Sequence, residues 1–369
     1  MGKHILVASR KGLFVLEKAG NSWAIAHGNF IGDPVTMILY DARDSRMYAA
    51  VGHGHFGAKL HASGDGGKSF EEISAPKYPE KPADFEDIDP MRKIPIPWNV
   101  EQIWSLAAGG ANERGTLWCG TIPGGLFHSK DGGNSWKLME SLWLHPKRKE
   151  WMGGGYDYAG IHSICVDPRN EKRVLVGVSC GGAWLTEDGG ESWTCRAQGM
   201  YAAFMPPEKK YDMYIQDPHC IAQCKAHPDI YWAQHHNAVF RSDDGALLWK
   251  DLPNAKPSNF GFAVAAHPRD AQTAWFVPAV ADACRVPVDA KLVVSRTRDG
   301  GESFEVLSEG LCSGPSYDLI YRHALDVDDS GNCLVMGSTT GGLWVSEDQG
   351  DSWTALDIRL PPIYCVRWF

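Results

Sequence analysis

Ser129-Lys130-Asp131-Gly132-Gly133-Asn134-Ser135-Trp136 decides the fold, because the same eight-residue pattern returns along the chain. In general form it is Ser/Thr-x-Asp-x-Gly-x-Ser-Trp/Phe. It recurs from Ser63 to Phe70, Thr186 to Trp193, Thr297 to Phe304 and Ser346 to Trp353, with a worn copy from Ser242 to Trp249. The aspartates (Asp65, Asp131, Asp188, Asp244, Asp299, Asp348) stand 49 to 66 residues apart. A repeat of that length is one supersecondary unit that buries its apolar face against its neighbours, as in a propeller. A seventh copy opens the chain, with Lys18 in the aspartate's place and Gly20, Ser22 and Trp23 kept. Seven copies predict seven blades.

Each part of the pattern suits a β-hairpin. The aspartate accepts hydrogen bonds from the backbone of its own turn, the glycines take positive φ, and the aromatic ring packs between sheets. The aspartates are therefore assigned to the fold and not to catalysis. The pattern resembles the Asp-box propellers, or bacterial neuraminidase repeats, of sialidases, xyloglucanases, sortilin-type receptors and a photosystem assembly factor. The resemblance covers nearly the whole chain. It implies an all-β, seven-bladed propeller of four-stranded antiparallel blades, and it leaves function open because the family does many things.

The fourth repeat supplies a template. Ile161–Val166 alternates towards Asp167-Pro168, Arg173–Val178 follows, then Ala183–Thr186, the aspartate turn, and Ser192–Cys195, four strands in up-and-down order. On this template the innermost strands of blades two to seven begin near Val35, Glu101, Ala159, His219, Asn259 and Ile320. Blade one opens with His4–Val7, which matches a second strand. Its first strand is expected from the C-terminal segment Ile363–Trp368, closing the ring and removing two sheet edges. Blades of about fifty residues account for all 369 residues as a single domain, residues 1–369.

Three long connections, Ser74–Asn99, Glu140–Tyr158 and Gln198–Pro218, join outer strands to the next inner strand. A fourth, Pro278–Ala290, joins two strands within blade six. All four are expected on one face, and long loops of this kind usually carry function. The aspartate turns are expected on the opposite face.

Ligands are expected at the mouth of the central channel on that face. Matching the inner strands to Asp167 gives an upper ring of Asp33, Glu101, Ala159, His219, Asn259 and Ile320. A second ring, roughly 10 Å deeper at about 3.3 Å per residue, holds Thr36, Trp104, His162, Ala222, Phe262 and His323. The loops between second and third strands add His53, His55, Cys180, His235 and His236. Half of the fourteen histidines thus map to one face. Arg10, Arg285 and Arg322 belong to adjacent blades, while Glu101, His162, His219, His235 and His236 belong to blades three to five. One side suits an anion, since guanidinium forks match carboxylates, and the other suits general acid–base work.

The catalytic candidates are accordingly Glu101, His162, His219 and His323. The ligand-binding candidates are Arg10, His53, His55, Trp104, His235, His236, Arg285, Tyr321 and Arg322. Two chemistries suit this set. Glycoside cleavage needs two carboxyl groups across the bond, and Asp33 with Glu101 is the one inner-ring pair. Proton abstraction and elimination on an acidic sugar would use a histidine base, with or without a divalent metal held by His and Glu side chains. The His-rich mouth is similar in that respect alone to seven-bladed polysaccharide lyases. No H-E-x-x-H motif marks a metal. The sialidase site does not carry over, since no glutamate neighbours Tyr321 or Tyr364, and the xyloglucanases of the family use two propellers where this chain has one.

A formal charge of −9 and the lack of a basic block exclude a nucleic-acid surface. The opening Met1–Arg10 lacks the apolar core of a signal peptide, and no apolar run is long enough to span a bilayer. Ten scattered cysteines without a C-x-x-C pair read as reduced thiols, so the expected location is the cytoplasm. The expectation is a sugar-sized polar ligand, neutral or acidic, bound at the mouth. The alternative is a scaffold that binds protein without catalysis.

Overall fold

The repeated turn folds as its residue types require. In this computed structural model, which describes residues 4–20 and 22–369, Ser129 Oγ donates to Asp131 Oδ1 and accepts from the Gly133 N–H at 2.9 Å. Asp131 then accepts from Ser135 N at 2.9 Å and Ser135 Oγ at 2.6 Å. Thr186, Thr297 and Ser346 head turns with the same bonds. In the worn copy Asp244 accepts from the backbone of Leu247 and Leu248 instead. Gly133 has φ +86°, and a Cβ there would meet Ile73 Cδ1 of the preceding blade at 2.8 Å. The Trp136 indole donates to Ser74 O at 2.9 Å and Trp249 to Arg196 O at 2.7 Å, so these two turns also fasten neighbouring blades. In the first repeat the strands Gly12–Ala19 and Ser22–Asn29 pair directly through Ala19↔Ser22. Residue 21 of that repeat, and Met1–Lys3 of the opening segment read for an export signal, lie outside the described residues.

Seven four-stranded antiparallel sheets result, each in sequential strand order except the first. There the C-terminal strand Ile363–Trp368 pairs antiparallel with His4–Ser9, with Val7 opposite Val366, and forms the innermost strand of blade one. The other inner strands are Val35–Asp41, Gln102–Ala108, Ile161–Asp167, Pro218–Gln223, Gly261–Ala266 and Leu325–Val327. Each packs against the next around the ring. Trp118, Trp184, Trp232 and Trp275 are wholly buried and fill the wedges between blades.

Blade seven departs from the template. Its inner strand begins at Leu325, five residues beyond Ile320. The chain before it is held by side chains instead of a ladder: Ser316 and Ser338 both donate to Asp318, at 2.6 and 2.7 Å. His323 then forms an isolated parallel bridge with Cys365 of blade one.

Hydrogen bonds between inner strands knit the centre. Thr36 Oγ1 donates to Ile103 O at 3.0 Å, Ser105 Oγ to Ile161 O at 2.8 Å, and Ile221 N to Ser163 Oγ at 2.9 Å. His323 Nε2 donates to His162 O at 2.7 Å, linking blades seven and four across the axis. The channel is therefore crossed at the depth of the second ring.

Two of the long connections fold on one another. Arg148 reaches Asp87 at 2.6 Å, Trp98 Nε1 donates to the same carboxylate at 2.9 Å, and the Arg148 guanidinium lies 3.9 Å over the Trp143 ring. Beside this buried knot, the Gly153 N–H donates to Asp89 Oδ2 at 3.1 Å and ties the glycine run to the first connection. No helix among the described residues is long and apolar enough to cross a membrane.

Candidate functional site

A cavity of about 210 Å³ opens above the crossed channel, displaced towards blades four to seven. Its lining includes Gly154, Cys180, Asp217, His219, Phe262 and Arg322. Three long connections converge on it, contributing Gly153–Gly155, Phe204, and the pair Asp282 and Arg285. A Cβ on Gly154 would stand 2.9 Å from Cys180 Sγ, so that wall accepts only glycine at this approach. Cys180 itself holds a left-handed backbone at φ +47°, a conformation that is strained for a non-glycine residue and is concentrated near functional sites.

Asp217 and His219 lie two residues apart in extended chain, so both side chains turn to the same side. His236 enters from the loop after Tyr231–His235, the strand paired with Pro218–Gln223. His219 Nε2 is 3.5 Å and His236 Nδ1 3.2 Å from Asp217 Oδ2, and Asp217 Oδ1 accepts from the Cys180 N–H at 3.1 Å. His219 Nδ1 lies 2.7 Å from Gly261 O. A carbonyl can only accept, so Nδ1 carries the proton and Nε2 the lone pair. Burial pushes the Asp217 carboxyl up, but the imidazoles of His219 and His236 outweigh it and hold the group well below the usual carboxylate range. Burial lowers His219 against the opposing pull of Asp217.

The opposite wall is cationic. Arg322 has its guanidinium 4.7 Å over Trp104 and 5.3 Å from the Phe262 ring centre. No carboxylate pairs with it among the described residues, and burial pushes its pKa down. Arg285 stands beside it, 5.4 Å over Phe262, and is paired with Asp282. A guanidinium at a cavity wall, held by ring faces rather than by an acid, keeps its N–H donors available.

Of the residues singled out from the sequence, His219, His236, Arg285 and Arg322 line this cavity. Trp104 supports Arg322 from behind, and Tyr321 packs edge-on against Phe262 at 5.6 Å. His235 is wholly buried in the wall, where its Nε2 accepts from the Asp217 N–H at 3.0 Å; burial lowers its pKa to about 3. His162 and His323 lie in the cross-channel contact beneath. Burial and the neighbouring Arg322 charge hold His162 well below its ordinary value.

The remaining candidates stand elsewhere and do not line the cavity. His53 is 3.9 Å from Asp33, and His55 lies in the turn Gly54–Phe56, both on blade two. Arg10 is exposed on blade one. Glu101 is exposed at the edge of blade three, its pKa raised by burial and by Asp157. Neither Asp33 nor Glu101 lines the cavity described above. Asp217, Asp282 and Phe204 were absent from the sequence-derived set. Asp217 had a signal, since Asp-x-His in a strand puts both groups on one face, and the spacing of Asp282 and Arg285 foreshadows their pairing.

Fold and site together define a seven-bladed β-propeller with a polar cavity set off its axis, and known proteins share that fold. No family profile matches the chain. A stretch of 78 residues, 21% of the chain, is 37% identical to an oligoxyloglucan-reducing end-specific xyloglucanase of Emericella nidulans and covers 8% of that protein. Among solved structures, the GH74 xyloglucanase of Xanthomonas campestris is similar with a TM-score of 0.65 at 17% identity, over 96% of this chain and 52% of that one. YCF48 bound to a D1 peptide is similar with a TM-score of 0.53 at 18% identity, over 89% of this chain and 85% of that one. At these identities the likeness is one of fold. The chain spans about half the length of the Xanthomonas enzyme.

Proposed function

We propose that this Asp-box-like propeller binds a small anionic ligand, of the class of acidic sugars, in the cavity between Arg322 and the Asp217–His219–His236 cluster. The observation that carries the reading is Arg322: a half-buried guanidinium with no carboxylate within ion-pair distance among the described residues, at the cavity wall between Trp104 and Phe262. Asp217 across the cavity offsets its charge only at a distance, and a ligand that supplies a negative charge at the guanidinium would complete the pairing. The volume favours one sugar unit. At about 210 Å³ the cavity is smaller than sites for drug-sized ligands. Across from the guanidinium, His236 is the partly exposed imidazole, positioned for proton transfer to or from a bound ligand. This supports abstraction or elimination chemistry over two-carboxylate glycoside cleavage, because Asp282, the second carboxylate of the lining, is engaged by Arg285. The ten free cysteines are consistent with a reducing compartment such as the cytoplasm.

The test is calorimetric titration with glucuronate, galacturonate and glucose. Uronate binding with no heat from glucose, lost in Arg322→Met, supports the reading. Equal binding by the variant, or none by the wild type at millimolar uronate, removes it.

A second reading, a protein-binding scaffold, draws on Phe56, Phe204, Tyr211 and Tyr317. All four are exposed, Phe56 by 75%. Exposed aromatic side chains of this kind suit a peptide partner.

A further inference from the structure

The cluster of Asp217, His219 and His236 has the donor set and spacing of a metal site. Its three donor atoms lie within 4.8 Å of one another, with two of the separations at 3.5 and 3.2 Å. A tetrahedral ion with bonds of about 2.1 Å needs donors about 3.4 Å apart. With its proton on Nδ1, neutral His219 turns the Nε2 lone pair towards Asp217 Oδ2 at 3.5 Å, so two acceptors face each other. A cation there satisfies both. The outer bonds also match, because metal-binding imidazoles commonly donate their other N–H to a carbonyl, as His219 does to Gly261 O at 2.7 Å. The Cys180 N–H on Asp217 Oδ1 and the His235 ring on the Asp217 N–H fix the carboxylate in the same way. Asp217 and His219 are 4% and 3% exposed, so the pair is built into the wall and is not a chance surface cluster.

We propose that Asp217 Oδ2, His219 Nε2 and His236 Nδ1 bind one divalent transition-metal ion, with its remaining positions open to the cavity, where an anion held by Arg322 completes the coordination. Two imidazoles and one carboxylate suit zinc, manganese, iron(II) or cobalt(II), and disfavour calcium and magnesium, which take oxygen ligands. The first half of this proposal stands on the cluster alone. The second half rests on the anion reading given above.

The experiment uses the full chain stripped with chelator, and its first part needs no organic ligand. Equilibrium dialysis against Zn²⁺ or Mn²⁺ should return one ion per chain, and Co²⁺ titration should develop visible ligand-field bands. His236→Ala, at a side chain 22% exposed, should keep the wild-type circular dichroism and weaken binding by at least about 100-fold. Asp217→Asn should do the same. If Asp217→Asn fails to fold, His236→Ala decides alone. Wild-type affinity in His236→Ala, or less than one ion on the wild type at millimolar metal, overturns the site. A protein that takes the ion yet binds no uronate leaves the site standing and removes the anion reading. Uronate affinity that is unchanged on stripping the ion overturns the shared coordination.

Discussion

His323 Nε2 donates to the backbone oxygen of His162 at 2.7 Å, so a side chain of blade seven is tied to blade four across the axis of the ring. A propeller channel is ordinarily a through-passage whose mouth is the ligand site. Here the crossing closes the passage, and the usable space lies to one side, above Cys180, Asp217 and Phe262. The two histidines thus shape the cavity without lining it.

Removing that bond should cost stability and leave the cavity residues in place. His323→Ala orphans the His162 carbonyl and opens a void. The expected loss is about 2–4 kcal/mol, the sum of an unmade buried hydrogen bond and a small cavity. Urea unfolding checks it through a lower midpoint at unchanged slope.

The same histidine predicts a pH dependence. Burial, then the charge of Arg367, lowers the His323 pKa to about 3, against an unfolded value near 6.5. Between about pH 6.5 and about 3 the unfolded chain binds more protons than the folded one. The contribution of His323 is therefore complete above pH 6.5 and is lost as the pH falls through that window. Its share of the slope is up to about 1.4 kcal/mol per pH unit. Unfolding free energies at pH 6.0 and 4.5 should differ by correspondingly less in His323→Ala than in the wild type.

The turn glycines separate strain from contact. Gly132 and Gly133 both have positive φ, but a Cβ on Gly132 would meet the flexible Arg46 Nη1 at 3.1 Å, and one on Gly133 would meet Ile73 Cδ1 at 2.8 Å. Gly132→Ala should cost about 1 kcal/mol, the left-handed penalty alone. Gly133→Ala should cost at least about 1 kcal/mol more, because the adjoining blade must give way. Paired denaturation curves measure the difference.

Ring closure makes the last residues indispensable. Ile363, Cys365 and Val366 are fully buried, and their strand is the inner edge of blade one. Deleting residues 363–369 removes that strand and unsupports blades one and seven together. The truncated chain should lose its cooperative thermal transition in calorimetry. A sharp transition at the wild-type temperature would refute the closure argument.

Blade number and closure were legible in the sequence because both are local: the aspartate turn marks each hairpin, and His4–Ser9 lacks an inner neighbour. The cavity was less legible. Counting along strands gives depth, which put His162 and His323 in the right layer, but it does not say whether side chains of that layer meet across the axis. They do, and the site is pushed off-centre. For that reason His53, His55, Arg10 and Glu101 share the face without reaching the cavity, while His219, His236, Arg285 and Arg322 come together in it. Asp217 carried a period-two signal beside His219. The late start of blade seven at Leu325 had none, since Asp318 replaces ladder bonds with hydroxyl contacts that no strand pattern encodes.

Arg322 offers the sharpest separation of function from stability. Its guanidinium gains two ring contacts, about 1–2 kcal/mol each when desolvated. Against this stands the partial desolvation of a charge that has no acid within ion-pair distance, which burial shows by lowering the Arg322 pKa. The penalty outweighs the gain. Methionine fills much of the same volume between Trp104 and Phe262 and keeps favourable contacts with both rings. Arg322→Met should therefore melt higher than the wild type, by a few degrees for about 1–2 kcal/mol, while losing uronate binding. A site kept at a cost to the fold behaves in this way. A variant that melts lower would mean that Arg322 serves the packing of Trp104 and Phe262, and the case for an anion at this wall would fall with it.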